Sequence, residues 1–311
     1  MRPTRIVLPT PFAVGPVNAY VFVDAPVTLV DPGPLYPPAQ EALDAALQEI
    51  GIPRHRIERI LLTHHHPDHS GYAPALAAET GAEICAHPDA ITRMVQPLGN
   101  PEASEQLLRR HGVPEEVLLA MHRELARIIS HIAPLTAARP VEEGERILAG
   151  GDELEAMLLP GHAPGHLAFI GPDYILGGDA VIAGLTPNPI LEVDGSGRRK
   201  SLPEYIRSLM RLRALPNLPI LSGHREEIED PAPLLTRYLE QIAERRERVL
   251  SALGDRTVQA FMLSQEFFPM RRGADPFLAL SEVLGHLDLL MESGLVEESE
   301  ERGRILYRRR A

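Results

Sequence analysis

Short apolar runs separated by helix-like stretches dominate the first three-quarters of the chain. Tyr20-Val21-Phe22-Val23, Thr28-Leu29-Val30, Arg59 to Leu62 and Glu83 to Ala86 have the length and residue types of buried strands. Between them, Gln40 to Ile50 sets Leu43, Ala46, Leu47 and Ile50 on one helical face, and Ser70 to Thr80 predicts a second helix. Such alternation implies layered α/β packing. From about Asn100 to Pro134 the pattern changes. Leu107, Leu108, Val117, Leu118, Met121, Leu125, Ile128 and Ile129 recur at helical spacing, interrupted by Gly112-Val113-Pro114. This stretch reads as a helical insertion. Strands return from Val141 to Ser222, with a helix over Leu202 to Leu215 that carries Pro203 in its first turn. Leu234 to Leu253 reads as a charged connector helix with Glu-Arg pairs. Beyond it come Thr257 to Phe268, Leu278 to Gly294, and an alternating stretch to Tyr307 that predicts a hairpin with a Gly turn.

The chemistry sits where the apolar runs stop. Ile60-Leu61-Leu62 runs into Thr63-His64-His65-His66-Pro67-Asp68-His69, a set of donors suited to Zn²⁺ or another first-row divalent ion. Without a metal, imidazolium groups this close would repel one another. Pro160-Gly161-His162-Ala163-Pro164-Gly165-His166 follows Leu154 to Leu159, Asp179 follows Tyr174-Ile175-Leu176-Gly177-Gly178, and Ser222-Gly223-His224 follows Leu218 to Leu221. Each His or Asp stands just past a strand, beside a glycine that permits a tight turn.

These residues resemble the metallo-β-lactamase superfamily, whose pattern is HxHxDH, then a His, an Asp and a His, in that order. The resemblance runs from about Asp31 to His224. It implies an αββα sandwich with the metals at one edge between two sheets. By the same resemblance His64, His66 and His162 form one metal site, Asp68, His69 and His224 a second, and Asp179 bridges both. Asp31 matches a position that supports the ligands from behind, where a carboxylate fixes imidazole orientation and tautomer; a turn-forming Asp before Pro32-Gly33 is the competing account. His65 lies between two ligand positions on an extended segment and points away, so it is read as non-ligating. His166 is read as a supporting histidine. The insertion, about residues 97–140, lies on the active-site side in relatives, which predicts a wall or lid. The expected division is a catalytic domain over residues 1–230 and, over 231–311, the connector helix with a small winged-helix-like domain, as in relatives of the β-lactamase-like protein 2 type.

Composition narrows the reaction. The chain of 311 residues is 44% hydrophobic and 24% charged, ordinary for a globular protein. Its single cysteine, Cys85, leaves no intramolecular disulfide, and the N-terminus lacks an apolar signal core, so a cytoplasmic protein with no membrane partner is expected. The expected function is a dinuclear metal-dependent hydrolase that uses a metal-bound hydroxide, with two divalent ions, Zn by preference and Mn or Fe as alternatives. Asp68 is the candidate catalytic residue, placed to orient that hydroxide. Pro160 to His166 resembles the run of glyoxalase-II-like enzymes, which points to a carboxyl ester or thioester in a small-molecule substrate. The alternatives are a phosphodiesterase or endoribonuclease and, in another class, a mononuclear iron dioxygenase of the same superfamily. Net charge −12 and the acidic Glu282, Asp288 and Glu292 on the would-be reading helix argue against nucleic acid as a partner. The many apolar positions of that helix predict packing on the catalytic domain or a homodimer partner. The loop Asp194 to Lys200 is basic, and a solvated turn is preferred there over an anion contact.

Overall fold

Alternation inside the strands decides the layers of the computed structural model, which describes residues 2–194, 197–268 and 275–310. In β2 (Val17–Phe22), Ala19 and Val21 join one hydrophobic cluster while Tyr20 and Phe22 join another. β4 (Arg59–Leu61) splits in the same way: Ile60 belongs to the first cluster and Leu61 to the second. Successive side chains of a strand point to opposite faces, so one short apolar run glues two layers.

The first sheet has the order β1 (Thr4–Leu8), β2, β3 (Thr28–Val30), β4, β5 (Glu83–Ala86) and β6 (Arg139–Pro140). It is antiparallel up to β3 and parallel from β3 onward. Its outer face buries the apolar sides of α1 (Pro37–Glu49), α3 (Ala73–Thr80) and α4 (Pro88–Val95). The second sheet follows the order β13 (Ile220–Ser222), β10 (Ile175–Gly178), β9 (Leu167–Ile170), β8 (Asp152–Leu158) and β7 (Arg146–Ala149). Its inner face meets the first sheet through Leu154, Ala156, Phe169 and Leu176, and its outer face is covered by α7 (Ser201–Arg213) and α8 (Pro231–Leu253). The result is the expected αββα sandwich.

The helix expected over Ser70 to Thr80 is broken. α2 (Pro67–Ser70) stops before α3 because Tyr72 N donates to Gly33 O at 2.9 Å and the Gly71 carbonyl accepts from Ala133 N at 2.8 Å. Both groups leave the helical ladder to tie the metal motif to its neighbours.

The insertion forms α5 (Pro101–Arg110) and α6 (Glu115–Ile129), split at the expected Gly112-Val113-Pro114. Its apolar side turns toward the end of the chain. Leu108, Val117 and Leu118 share one core with Leu263, Leu284, Leu287 and Tyr307. Phe261 N donates to His111 O at 3.0 Å, and Arg110 pairs with Glu300 at 2.7 Å. The far end of the insertion reaches the loops after β1 and β3: Leu35 N donates to His131 O at 2.9 Å, and the Arg127 guanidinium lies 5.7 Å from the centre of the Phe12 ring.

The last stretch contains β14 (Thr257–Val258), α9 (Ala260–Phe267), α10 (Pro276–Glu292), β15 (Val296–Glu301) and β16 (Arg304–Arg309), the strands forming an antiparallel sheet of order β14-β16-β15. Of the polar residues counted against nucleic-acid binding, Glu282 and Asp288 on α10 are buried, as is His286. They are paired inside the chain: Glu282 with Arg245 at 2.8 Å, and Asp288 with Arg198 at 2.6 Å. α10 packs against α7, α8 and α9, which accounts for its surplus of apolar positions.

Candidate metal centre

Parallel strands end at the same edge, and that rule collects the site. β3 and β4 run parallel in one sheet and β10 and β13 in the other, so Asp31, the 63–69 motif, Asp179 and His224 all emerge together. The turn between β8 and β9 adds His162 and His166. A bridge between Val17 and His224, with Asn18 N donating to Gly223 O at 2.7 Å, stitches the two sheets at this rim. Gly223 must be glycine: a Cβ there would stand 2.3 Å from Asp179 Oδ1 and 2.6 Å from His69 Cε1.

Three overlapping groups of donors result, each with its ligand atoms within 4.8 Å of one another: His64, His66 and His162; His64, His69 and Asp179; Asp68, His69 and His224. All seven sequence-predicted donors are thus brought together. His64 Nε2 and His162 Nε2 each lie 3.0 Å from His66 Nδ1. On the other side His224 Nε2 lies 3.3 Å from Asp68 Oδ2 and 3.5 Å from Asp179 Oδ2. Asp179 sits between the two sets, its Oδ1 3.4 Å from His69 Nε2 and its Oδ2 3.6 Å from His162 Nε2. His69 Nε2, His224 Nε2 and Asp179 Oδ1 are buried with no hydrogen-bond partner. Such orphaned atoms are costly unless something else satisfies them. Several of them facing one another, borderline nitrogens beside hard carboxylate oxygens, fit divalent ions.

A ring of fixed contacts behind these donors sets which nitrogen faces inward. Asp31 is held at φ 52, a sparsely populated conformation for a non-glycine residue. From there Oδ1 accepts from Thr63 N at 2.8 Å, and Oδ2 accepts from Thr63 Oγ1 at 2.6 Å and faces His69 Nδ1 at 2.8 Å. The carboxylate therefore accepts a hydrogen bond from Nδ1–H and leaves Nε2 facing the site. Backbone carbonyls do the same elsewhere: Pro16 O lies 2.7 Å from His224 Nδ1, and Asn188 O lies 3.1 Å from His162 Nδ1. His166 Nε2 accepts from Asp179 N at 3.1 Å, which fixes the backbone under the central carboxylate. His65 falls in none of the donor groups. It turns toward Glu192, 3.9 Å away. The Pro16 and Asn188 carbonyls carry no sequence signal; Thr63, next to the motif, had a hydroxyl that could have been noticed.

The charges follow the same division. Burial, reinforced by neighbouring imidazoles, pushes His64 and His66 well below the usual histidine range, and burial likewise takes His65 and His166 down to about 3. Burial also lowers His162 against the pull of Asp179. These rings are neutral at pH 7, the form that binds a metal. For His69 and His224 burial is outweighed by carboxylates, Asp179 foremost, and their pKa values rise. Burial would raise Asp179, yet His69, His224 and His162 drive it far down. The centre holds carboxylates that demand positive charge, from protonated histidines or from cations that replace those protons.

Donors at the open edge of an αββα sandwich define a class of metal-dependent proteins, and comparison with known proteins agrees. The metallo-beta-lactamase superfamily profile matches residues 13–224. A probable metallo-hydrolase of Bacillus subtilis (strain 168) is 32% identical over 91% of this chain and 90% of its own length. The crystal structure of a metallo-beta-lactamase family protein from Thermus thermophilus superimposes with a TM-score of 0.86 at 30% identity, covering 99% of this chain and 98% of that one. A hydroxyacylglutathione hydrolase of Stenotrophomonas maltophilia (strain R551-3) is 27% identical over 88% of this chain and 85% of its own. The chain belongs to the metallo-β-lactamase superfamily and is a metal-dependent hydrolase. Among the described residues no helix is long and apolar enough to cross a membrane.

Proposed function

We propose that this protein is a dinuclear hydrolase of a small carboxyl ester or thioester. The observation that carries the two-metal reading is the geometry of seven donors in two triads around Asp179. His64, His66 and His162 would hold one ion, Asp68, His69 and His224 the other, with Asp179 between them. Zinc fits this His-rich set best, with Mn or Fe as alternatives. When bound, the ions supply a nucleophilic hydroxide near neutral pH and polarise the scissile carbonyl.

The chain's own groups do the rest. Asp31, Pro16 O and Asn188 O fix the inward nitrogens of His69, His224 and His162. Asp68 Oδ2, beside His224, would accept a proton from the attacking water. The acyl preference draws on the similarity to hydroxyacylglutathione hydrolases, whose name denotes a thioester substrate. The mononuclear iron dioxygenase alternative needs three ligands; Asp68, His69 and His224 together favour the dinuclear reading. The phosphodiesterase alternative leans on the winged-helix-like tail. There Glu282 and Asp288 of α10 are buried in pairs, Glu292 is exposed beside Lys200, and Arg308 and Arg310 face Glu297, which favours an architectural role for the tail and a small-molecule substrate over nucleic acid. We also read the functional division as a catalytic unit over residues 1–230 and a connector and tail over 231–311, with the insertion packed on the tail.

One experiment tests the function: elemental analysis of purified protein, then turnover of a thioester, a lactone, bis-p-nitrophenyl phosphate and single-stranded RNA. About two metals per chain and fastest turnover of the thioester are expected. One metal per chain, with no gain on adding Zn²⁺ or Mn²⁺, overturns the dinuclear reading. Preferred cleavage of the phosphodiester or RNA overturns the acyl one.

A further inference from the structure

Between Asp179 and α7 the chain makes a strap that touches the metal centre at one end and α10 at the other. At the near end, Asn188 O faces His162 Nδ1 at 3.1 Å. That contact depends only on where a backbone carbonyl sits, so whatever fixes residue 188 fixes the ring. Arg93 of α4 holds the segment at Val193 O and Glu192, and the anchors nearest residue 188 come from α10. Asn188 Nδ2 donates to Leu278 O at 3.1 Å, and Leu191 N donates to Ser281 Oγ at 3.1 Å. The Leu191 side chain is buried in the core that α10 shares with the insertion. Further along, the small hairpin β11 (Val193–Asp194) and β12 (Gly197–Arg198) presents Arg198, whose guanidinium grips Asp288 through both terminal nitrogens, one at 2.6 Å.

This last pair changes the expectation for the basic loop. Gly195 and Ser196 lie outside the described residues, but Arg198 is 13% exposed and Asp288 wholly buried, so the Arg198 end of the loop is docked and not merely solvated. A buried ion pair gains little over apolar residues of the same size, so its presence calls for a geometric role. A two-pronged Arg–carboxylate contact fixes both position and direction. Beneath the strap, α10 lies directly on α7: a Cβ at Gly285 would stand 2.6 Å from Leu202 Cβ. α7 itself holds the strap from the other side, through Ser201 Oγ donating to Ile190 O at 2.7 Å. The anchors on α10, at Leu278, Ser281 and Asp288, therefore sit on a helix whose distance from the sandwich is fixed.

We propose that α10 is a positioning element for the metal centre: through the strap 188–198 it holds the Asn188 carbonyl that orients His162. Asn188, Ser281, Arg198 and Asp288 are its positioning residues. The proposal rests on His162 holding a metal ion. It makes the C-terminal stretch part of the hydrolase machinery, acting through the geometry of one ring.

The test uses full-length protein and Zn²⁺ affinity, read by competition with a chromophoric chelator, alongside the melting midpoint of chelator-stripped protein. Asn188→Ala removes one anchor at a half-buried position; the double change Arg198→Leu with Asp288→Leu removes another while filling the space. Losing a group that touches a ligand directly weakens metal binding by roughly 10- to 100-fold, and variants that only free the Asn188 carbonyl should reach the lower end, about 10-fold. The expected result is a loss of that size for one of the bound ions, with kcat/KM restored by excess Zn²⁺ and the stripped protein still folded. Unchanged Zn²⁺ affinity in the folded variants overturns the proposal, because a merely structural strap would move only the melting midpoint. His162→Ala separates the two levels. If it weakens Zn²⁺ and the strap variants do not, only the strap role falls. If His162→Ala leaves Zn²⁺ binding unchanged, the ligand assignment falls and takes the strap role with it.

Discussion

Two buried polar regions, about equally hidden from water, are built on opposite plans. At the metal edge, His69 Nε2, His224 Nε2 and Asp179 Oδ1 have no hydrogen-bond partner and converge on a common point. Around α10, the carboxylates are matched within the protein, Asp288 with Arg198 and Glu282 with Arg245 and His286, and the Tyr307 hydroxyl donates to Glu298 at 2.9 Å, while His286 Nδ1 has no partner. Among the described residues, the one ring there with both nitrogens unpartnered is His111. It stacks on Tyr307, and burial, followed by the repulsion of Arg198, holds it down to about 3, hence neutral. An isolated neutral imidazole carries the cost of its unmet hydrogen bonds and offers a metal no companions. Burial of polar groups alone therefore does not mark a functional site. Convergence of unsatisfied donors does.

The comparison is most severely tested at Asp179. Asp179→Asn should abolish measurable turnover, beyond the ~100-fold loss that removing a supporting group produces, and elemental analysis should find one or both ions gone from a folded protein. Retained activity and metal content would show that the charge between the triads is not needed. In the α10 region the corresponding change is a loss of packing. Leu287, fully buried in that core, should cost about 3 kcal/mol when cut to Ala, measured by denaturant titration, with metal content per folded chain unaltered.

A smaller effect is expected at Asp31→Asn. Without the carboxylate that accepts the His69 Nδ1–H hydrogen bond, Zn²⁺ affinity should fall by about 10-fold while the stripped protein melts within a few degrees of the original. An unchanged affinity would reduce Asp31 to a turn residue. The smallest effect concerns pH. Burial would raise Glu282, but His286 and Arg245 together hold it below its ordinary 4.5. A depressed carboxyl contributes stability that is present above its unfolded value and lost as pH falls through the folded one. Glu282→Gln should therefore cost about 1 kcal/mol at pH 7 and nothing once both states are protonated. A penalty that persists in strong acid would trace to packing instead of charge.

From the amino-acid sequence, local rules determined the layered α/β packing and the donor residues, while the αββα arrangement and the sorting of the donors into two sites came from the resemblance to a known family. The run Ile60-Leu61-Leu62 was legible as the end of a buried strand, and the period of two along a strand is why the fold sends Ile60 and Leu61 to opposite layers. The donors stood out because His and Asp at strand ends beside glycines are chemically conspicuous, and because parallel strands place their ends together. What the order of residues could not reveal were partners with no side-chain signature and pairs far apart in the chain. The carbonyls of Pro16 and Asn188 orient two of the imidazoles, yet any residue supplies a carbonyl. Glu282 and Asp288 counted in the sequence only as acidic charge, and their partners Arg245 and Arg198 stand 37 and 90 positions away. The helical spacing of the insertion was plain, but its apolar side has the same period whichever surface covers it. Only the folded chain decided that the cover is α9, α10 and β16.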